Sequence, residues 1–132
     1  MKITKAADYA VRCCQHLSGA GVGVLVSRRE VSEAMDIPSP FLGKIAQQLT
    51  RDGIIEIVQG ARGGYRLLVG PTELSLLRII EAVMGPVLLN ACALDAGSCT
   101  RSVTCSVHGV WKDLLAQFRQ QLDERKIADL LN

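Results

Sequence analysis

Aromatic side chains are scarce: 132 residues carry one Trp, two Tyr and two Phe, so any core must be built from Leu, Ile, Val and Ala. Long apolar runs are missing too. None approaches the roughly 20 residues that a bilayer-crossing helix needs, which excludes a helical membrane span. The opening Met1-Lys-Ile-Thr-Lys5 leads into an amphipathic pattern, not the apolar stretch of a secretory signal, so a cytoplasmic location with no membrane partner is expected. Charge of one sign is also lacking: the net charge is +2, too small by itself to announce nucleic acid. There is no serine–histidine–acid pattern and no phosphate-binding glycine loop, and His16 has no evident partner in the sequence. No catalytic activity is expected.

What is present is unevenly spread. Residues 1–70 hold nine Lys/Arg against six Asp/Glu, and residues 71–132 hold six against seven. The basic excess falls where phosphates would be met. Five cysteines stand in this small chain. Structural disulfides are rare in the cytosol, so ligands or buried thiols are the expected uses.

The apolar spacing predicts a mainly α chain. Thr4 can cap a first helix running to about Leu17, with Ala6, Ala10, Cys13, Cys14 and Leu17 on its apolar side. Ser27-Arg-Arg-Glu30 is a capping-box pattern that starts a second helix to about Met35. Asp36 to Ser39 reads as a turn. Ser39 then reads as N-cap and Pro40 as first residue of a third helix that buries Phe41, Leu42, Ile45, Ala46 and Leu49. A β-branched stretch, 54–58, and a second strand, 65–69, flank a glycine-rich turn at 60–64. Helix, turn, helix and hairpin make a winged helix-turn-helix over residues 1–70. Residues 71–132 form the second region. It has a helix from about Ser75 to Met84 bearing Leu76, Leu77, Ile80 and Val83 on one face. A cysteine loop over about 88–104 follows, then a long fifth helix striped by Val107, Val110, Trp111, Leu114, Leu115, Phe118 and Leu122. Ile127 to Leu131 forms a short final segment with its own apolar face.

Candidate DNA contacts follow from that arrangement. The third helix leaves Lys44, Gln47, Gln48 and Arg51 on its polar face; Lys and Arg can meet phosphate or guanine, and Gln can pair with adenine. A solvated helix face would look the same, and it is the wing behind it that favours DNA. Ser39 stands at the start of that helix. Arg62, between glycines at the hairpin tip, can enter a narrow minor groove. Arg28 and Arg29 open the second helix, where cations oppose the helix dipole, so an external phosphate is a reasonable partner. The fifth-helix stripe is too wide for one small core. Pairing it with a symmetry mate would set two recognition helices about 34 Å apart on double-stranded operator DNA.

The cysteines of the second region read C-x6-C-x5-C-x2-H: Cys92, Cys99, Cys105 and His108. Soft thiolates suit iron–sulfur clusters and zinc, and this Gly/Ser/Thr-bearing stretch has no helical period. The spacings exceed those of a zinc knuckle, which favours an iron–sulfur cluster over a zinc-stabilised regulator. A cluster-bearing electron carrier is a further alternative, opposed by the wing. Cys105 and His108 lie three apart, so His108 is a natural fourth ligand. Asp8 is its rival, with an i,i+4 ion pair to Arg12 as the competing use. Cys13 and Cys14 fall on a packed helix face and read as buried thiols.

Three stretches together resemble the winged-helix iron–sulfur regulators, the family of IscR and NsrR and of regulators of the Suf assembly system. They are Lys2 to Arg12, the wing Gly60-Ala-Arg-Gly-Gly-Tyr-Arg-Leu67, and the three cysteines followed by Val107-His-Gly-Val-Trp111. The resemblance covers nearly the whole chain. It implies a homodimer paired through the long fifth helix, operator DNA held by the third helix and wing, and a [2Fe–2S] or [4Fe–4S] cluster on the three cysteines. It implies either His108, as in IscR-like members, or Asp8, as in NsrR-like members, for the fourth ligand. The chain departs from IscR at Gly43, where a glutamate usually helps read bases.

Overall fold

A computed structural model describes residues 2–131 of the chain. Helix α1 (Lys5–Ala20) is followed by α2 (Arg28–Met35) and α3 (Ser39–Arg51). A hairpin of β1 (Ile55–Val58) and β2 (Gly64–Leu67) comes next, then α4 (Leu76–Met84), a one-turn α5 (Ala91–Leu94), the long α6 (His108–Glu124) and a closing 3-10 turn (Ile127–Leu130).

The helix starts are written in hydroxyl side chains. Thr4 Oγ1 accepts from Ala7 N–H at 3.1 Å, Ser27 Oγ from Glu30 N–H at 3.1 Å, and Ser75 Oγ from Arg78 N–H at 3.1 Å. Each satisfies a donor that the helix leaves orphaned. The third helix departs from expectation: Pro38 is its N-cap, with no side-chain cap bond, and Ser39 is its first residue. Pro40 is then the second helical residue, where its missing N–H is one that the helix leaves unpaired in any case.

The core is aliphatic, as the scarcity of aromatics requires. Leu17, Ile37, Leu42, Ile45, Leu49, Ile54, Ile55 and Leu67 are all but completely buried. Phe41 is not: it is 55% exposed and meets only the rim, tilted against Tyr9 with ring centroids 6.0 Å apart. The inward face of α3 is filled by Leu42, Ile45, Ala46 and Leu49, and Phe41 sits one position off it.

Helix α4 holds the two halves together. Ile79 joins the core formed by α1, α3 and the hairpin, while Ile80 joins Ala7, Val87 and Leu115 in a second cluster against α6. The expected single apolar face on this helix omitted Ile79. Apolar residues nearly all round mark a helix covered on both sides. The final turn closes the first core: Ile127 is fully buried, and Ser75 bridges to Lys126.

The wing is a two-stranded antiparallel hairpin in the register Ile55 to Leu67 and Val58 to Gly64. Val26, in the segment before α2, pairs with Tyr65 by two backbone bonds of 2.9 and 2.8 Å. Gly64, at φ +154°, lets this segment in: a Cβ there would lie 2.1 Å from the Val26 carbonyl oxygen. Glycine is required because another backbone occupies the side-chain space.

Candidate nucleic-acid interface and cysteine loop

The turn between α2 and α3 is held from behind. Asp36 takes a left-handed conformation (φ 54°) and ends α2. Arg12, on α1, donates through Nη1 to the carbonyls of Met35 at 3.3 Å and Asp36 at 3.5 Å, filling acceptors that the end of α2 leaves open. Its other nitrogen, Nη2, lies 2.8 Å from Asp8. Asp8 is therefore engaged within its own chain. The Asp8–Arg12 spacing announced the ion pair but not the reach to the turn. His16, without a partner in the sequence reading, lies 3.0 Å from Glu30 and ties α1 to the first turn of α2.

In front of α3 lies a groove of about 700 Å³ lined by the start of α2, the outer face of α3 and the hairpin. Pro40, Gly43, Lys44 and Gln47 line it from α3, the i, i+3, i+4, i+7 pattern of one helix face. Lys44 and Gln47 are exposed and bear no salt bridge or side-chain bond among the described residues. Arg62 is exposed in a turn closed by Gly63 N–H donating to the Gly60 carbonyl at 3.0 Å. Arg51 is exposed in the last turn of α3, outside the groove. Arg29 is exposed and engaged with Glu33 at 2.9 Å. Ser39 is exposed and offers its carbonyl to Arg28.

Gln48 corrects the sequence reading. It is half-buried and donates through Nε2 to the Val83 carbonyl of α4 at 3.3 Å. It belongs to the packing of α3 on α4, one position round the helix from the groove face.

The cysteine stretch is less irregular than expected. Ala91–Leu94 forms a helical turn with Cys92 on it, and Ala96–Ser98 a 3-10 turn. The alanines around Cys92 are strong helix formers, and their run was too short to show a period. Asp95 anchors the next bend, its side chain accepting from Gly97 N–H at 3.0 Å. Cys92 and Cys105 are half-exposed, Cys99 is exposed, and none is in a disulfide. Among the described residues no three His, Cys, Asp or Glu side chains are gathered into a metal set. The donors are thus near one another in sequence rather than in space.

Two buried polar atoms in this stretch have no hydrogen-bond partner among the described residues: Ser102 Oγ and His108 Nδ1. Buried polar groups ordinarily find partners, so an unpartnered imidazole nitrogen beside Cys105 is a free donor atom for a metal. Three thiols and one such nitrogen suit an iron–sulfur cluster by donor chemistry. The base of the stretch is fixed by a feature the sequence did not reveal. Glu81 of α4 accepts from Val87 N–H at 2.7 Å and from both terminal nitrogens of Arg119 on α6, with Arg119 Nη2 at 3.2 Å. No short-range spacing links residues 81 and 119, so no local signal was available.

Cys13 and Cys14 are fully buried, and burial pushes the Cys13 thiol up to about 12 and raises Cys14 as well. They are core residues. Folded thiols stay protonated while unfolded ones ionise from about pH 9. Stability from this pair is therefore complete below that pH and falls as pH rises toward about 12. The expected slope is roughly 1 kcal/mol per pH unit per thiol. Urea unfolding of wild type and Cys13→Ala at pH 8, 9 and 10 should show the smaller alkaline loss in the variant.

The Rrf2 family pattern, that of an iron-dependent transcriptional regulator, matches residues 3–132. The chain belongs to the Rrf2 family. It is 31% identical over 132 residues to an HTH-type transcriptional regulator of Haemophilus influenzae, a match spanning 100% of this chain and 87% of that one. It is 28% identical over 131 residues to IscR of Aliivibrio salmonicida, spanning 99% of this chain and 77% of the relative. Its fold superposes on that of CymR, the global cysteine regulator of B. subtilis. The TM-score is 0.77 over 98% of this chain and 95% of that one, at 20% identity. The Rrf2 protein is thus a winged-helix, DNA-binding transcriptional regulator and not an enzyme. None of its described helices is long and apolar enough to cross a membrane.

Proposed function

We propose that this Rrf2 protein is a homodimeric repressor that senses iron–sulfur status, nitric oxide or redox stress through a cluster on Cys92, Cys99, Cys105 and His108. The observation that carries the reading is the buried His108 Nδ1, unpartnered among the described residues, in the same stretch of chain as three cysteines that form no disulfide. A bound cluster supplies a redox-active, nitric-oxide-reactive centre. His108 is preferred to Asp8 because Asp8 is paired with Arg12. Residues 71–132 hold the cluster and pair the subunits, while residues 1–70 meet DNA. Lys44 and Gln47 enter the major groove, Arg62 the minor groove, and Arg29, Arg51 and Ser39 face phosphates. The Glu81–Arg119 pair fixes the base of the cysteine loop to α4, and α4 packs on α1 and α3. A change in the loop therefore has a packed route to the recognition helix.

The test is anaerobic purification with visible absorption, iron and sulfide analysis, followed by DNA affinity with and without the cluster. Brown protein whose affinity for selected duplexes changes when the cluster is removed supports the reading. Colourless protein carrying zinc supports a zinc-stabilised regulator instead. A cluster that leaves affinity unchanged removes the sensing role.

A further inference from the structure

The middle of the groove face of α3 carries no side chain of its own. Pro40, Gly43, Lys44 and Gln47 form that face, and Gly43 is its centre. Glycine within a helix is unfavourable relative to alanine, so this one calls for a reason. The space it leaves is filled from another helix. A Cβ on Gly43 would lie 2.7 Å from Nη2, 3.1 Å from Cζ and 3.2 Å from Nη1 of Arg28. The guanidinium of Arg28 thus lies against the α3 backbone, where a recognition side chain would otherwise stand. It is held there by Nη2 donating to the Ser39 carbonyl. Its Nη1 and Nε donors have no protein partner among the described residues. Its neighbour Arg29 differs, being engaged with Glu33 and not drawn across α3.

We infer that Arg28, seated on Gly43, is a specificity-determining residue that reads a guanine near the centre of each half-site. A guanidinium is a rigid planar fork. A fork on the outer face of a recognition helix meets base edges rather than the phosphates at the groove rim. Guanine offers O6 and N7 as a matching acceptor pair, the commonest specific contact in the major groove. The bond to the Ser39 carbonyl fixes the fork before DNA arrives, so little ordering remains on binding. Gly43 acts through Arg28 and is a positioning residue. The inference rests on the groove being the DNA-binding surface.

Selection from a pool of randomised duplexes, using the full-length protein, tests it. Wild type should select guanine at one position in each half-site. Arg28→Lys and Arg28→Ala should reduce that preference by about 10- to 100-fold and leave other positions unchanged. Gly43→Ala should relax the same position, because its methyl group displaces the fork. Its melting temperature should hold or rise, since alanine favours the helix. In the double variant, Gly43→Ala should add nothing to Arg28→Ala. A uniform loss of affinity across all sequences in Arg28→Ala, with the salt slope reduced by about one, identifies a phosphate contact and overturns the inference. So does an unchanged sequence preference in Gly43→Ala. Wild-type protein that selects no sequence overturns the DNA-binding role of the groove itself, an outcome distinct from failure of Arg28 alone.

Discussion

Replacing Trp111 and Leu114 together with glutamate should give a monomer whose affinity for a two-half-site operator is about 10²–10⁴-fold lower. The apolar stripe of α6 divides in two. Leu115 is buried against α4, and Phe118 and Leu122 pack on the same cluster. Val107, Val110, Trp111 and Leu114 remain 45%, 50%, 36% and 44% exposed. A contiguous row of large apolar groups marks an interaction surface, and on a helix of 17 residues it fits a symmetric pairing with a second copy. Two glutamates on each side of such an interface would place like charges in a dry contact. Sedimentation at micromolar concentration, paired with a binding titration, measures both effects. The fold should survive, because neither side chain serves the internal core. Glutamate at Leu115 or Phe118 would instead probe folding. A variant that stays dimeric, or a wild-type monomer that binds operator tightly, would overturn the assignment.

Alanine at Cys92, Cys99 or Cys105 should abolish visible absorption and bound sulfide, whereas alanine at Cys13 or Cys14 should leave both intact. The two groups differ in physical state. The loop thiols are exposed or half-exposed and open to iron. The α1 thiols are sealed in the core, where burial holds them protonated. Stability should follow the opposite order. The loop variants should melt near wild type. The α1 variants should lose about 1 kcal/mol or more, since each removes a packed side-chain atom from a close-packed interior. Iron and sulfide analysis of anaerobic preparations, with thermal unfolding of each variant, decides. Full cluster content in any loop variant would remove that cysteine from the ligand set. Loss of the cluster in Cys13→Ala without loss of folding would bring α1 into it.

Much of this was legible in the chain itself, and the parts that were not share a cause. Thr4, Ser27 and Ser75 act on donors three residues away, so their roles are local and readable. The wing was readable because a β-branched run at 54–58 and the glycines that follow it encode a hairpin locally. Gln48 was misplaced because a polar helix face does not show which of its members meets another element. Phe41 was taken into the core because hydrophobicity alone does not separate the centre of a stripe from its flank. The width of the α6 stripe was plain, but which part of it is buried depends on α4, far away in sequence. Gly43 was visible as a missing side chain. That another helix fills the place could be seen only in three dimensions.

The two-sided burial of α4 bears on how such a regulator can be recombined. Whatever the division of labour, residue 70 is not a division of folding, for Leu74, Ile79 and Ile127 all sit in one core with α1 and α3. A fragment ending at residue 70 would leave α1 bare along the flank that α4 covers. A chimera meant to exchange one cysteine loop for another should therefore be joined beyond Pro86, and it should retain a glutamate–arginine pair matched between the two donors. Regulators of this fold can diversify by rewriting the loop, while the helix beneath it stays bound by demands from both sides.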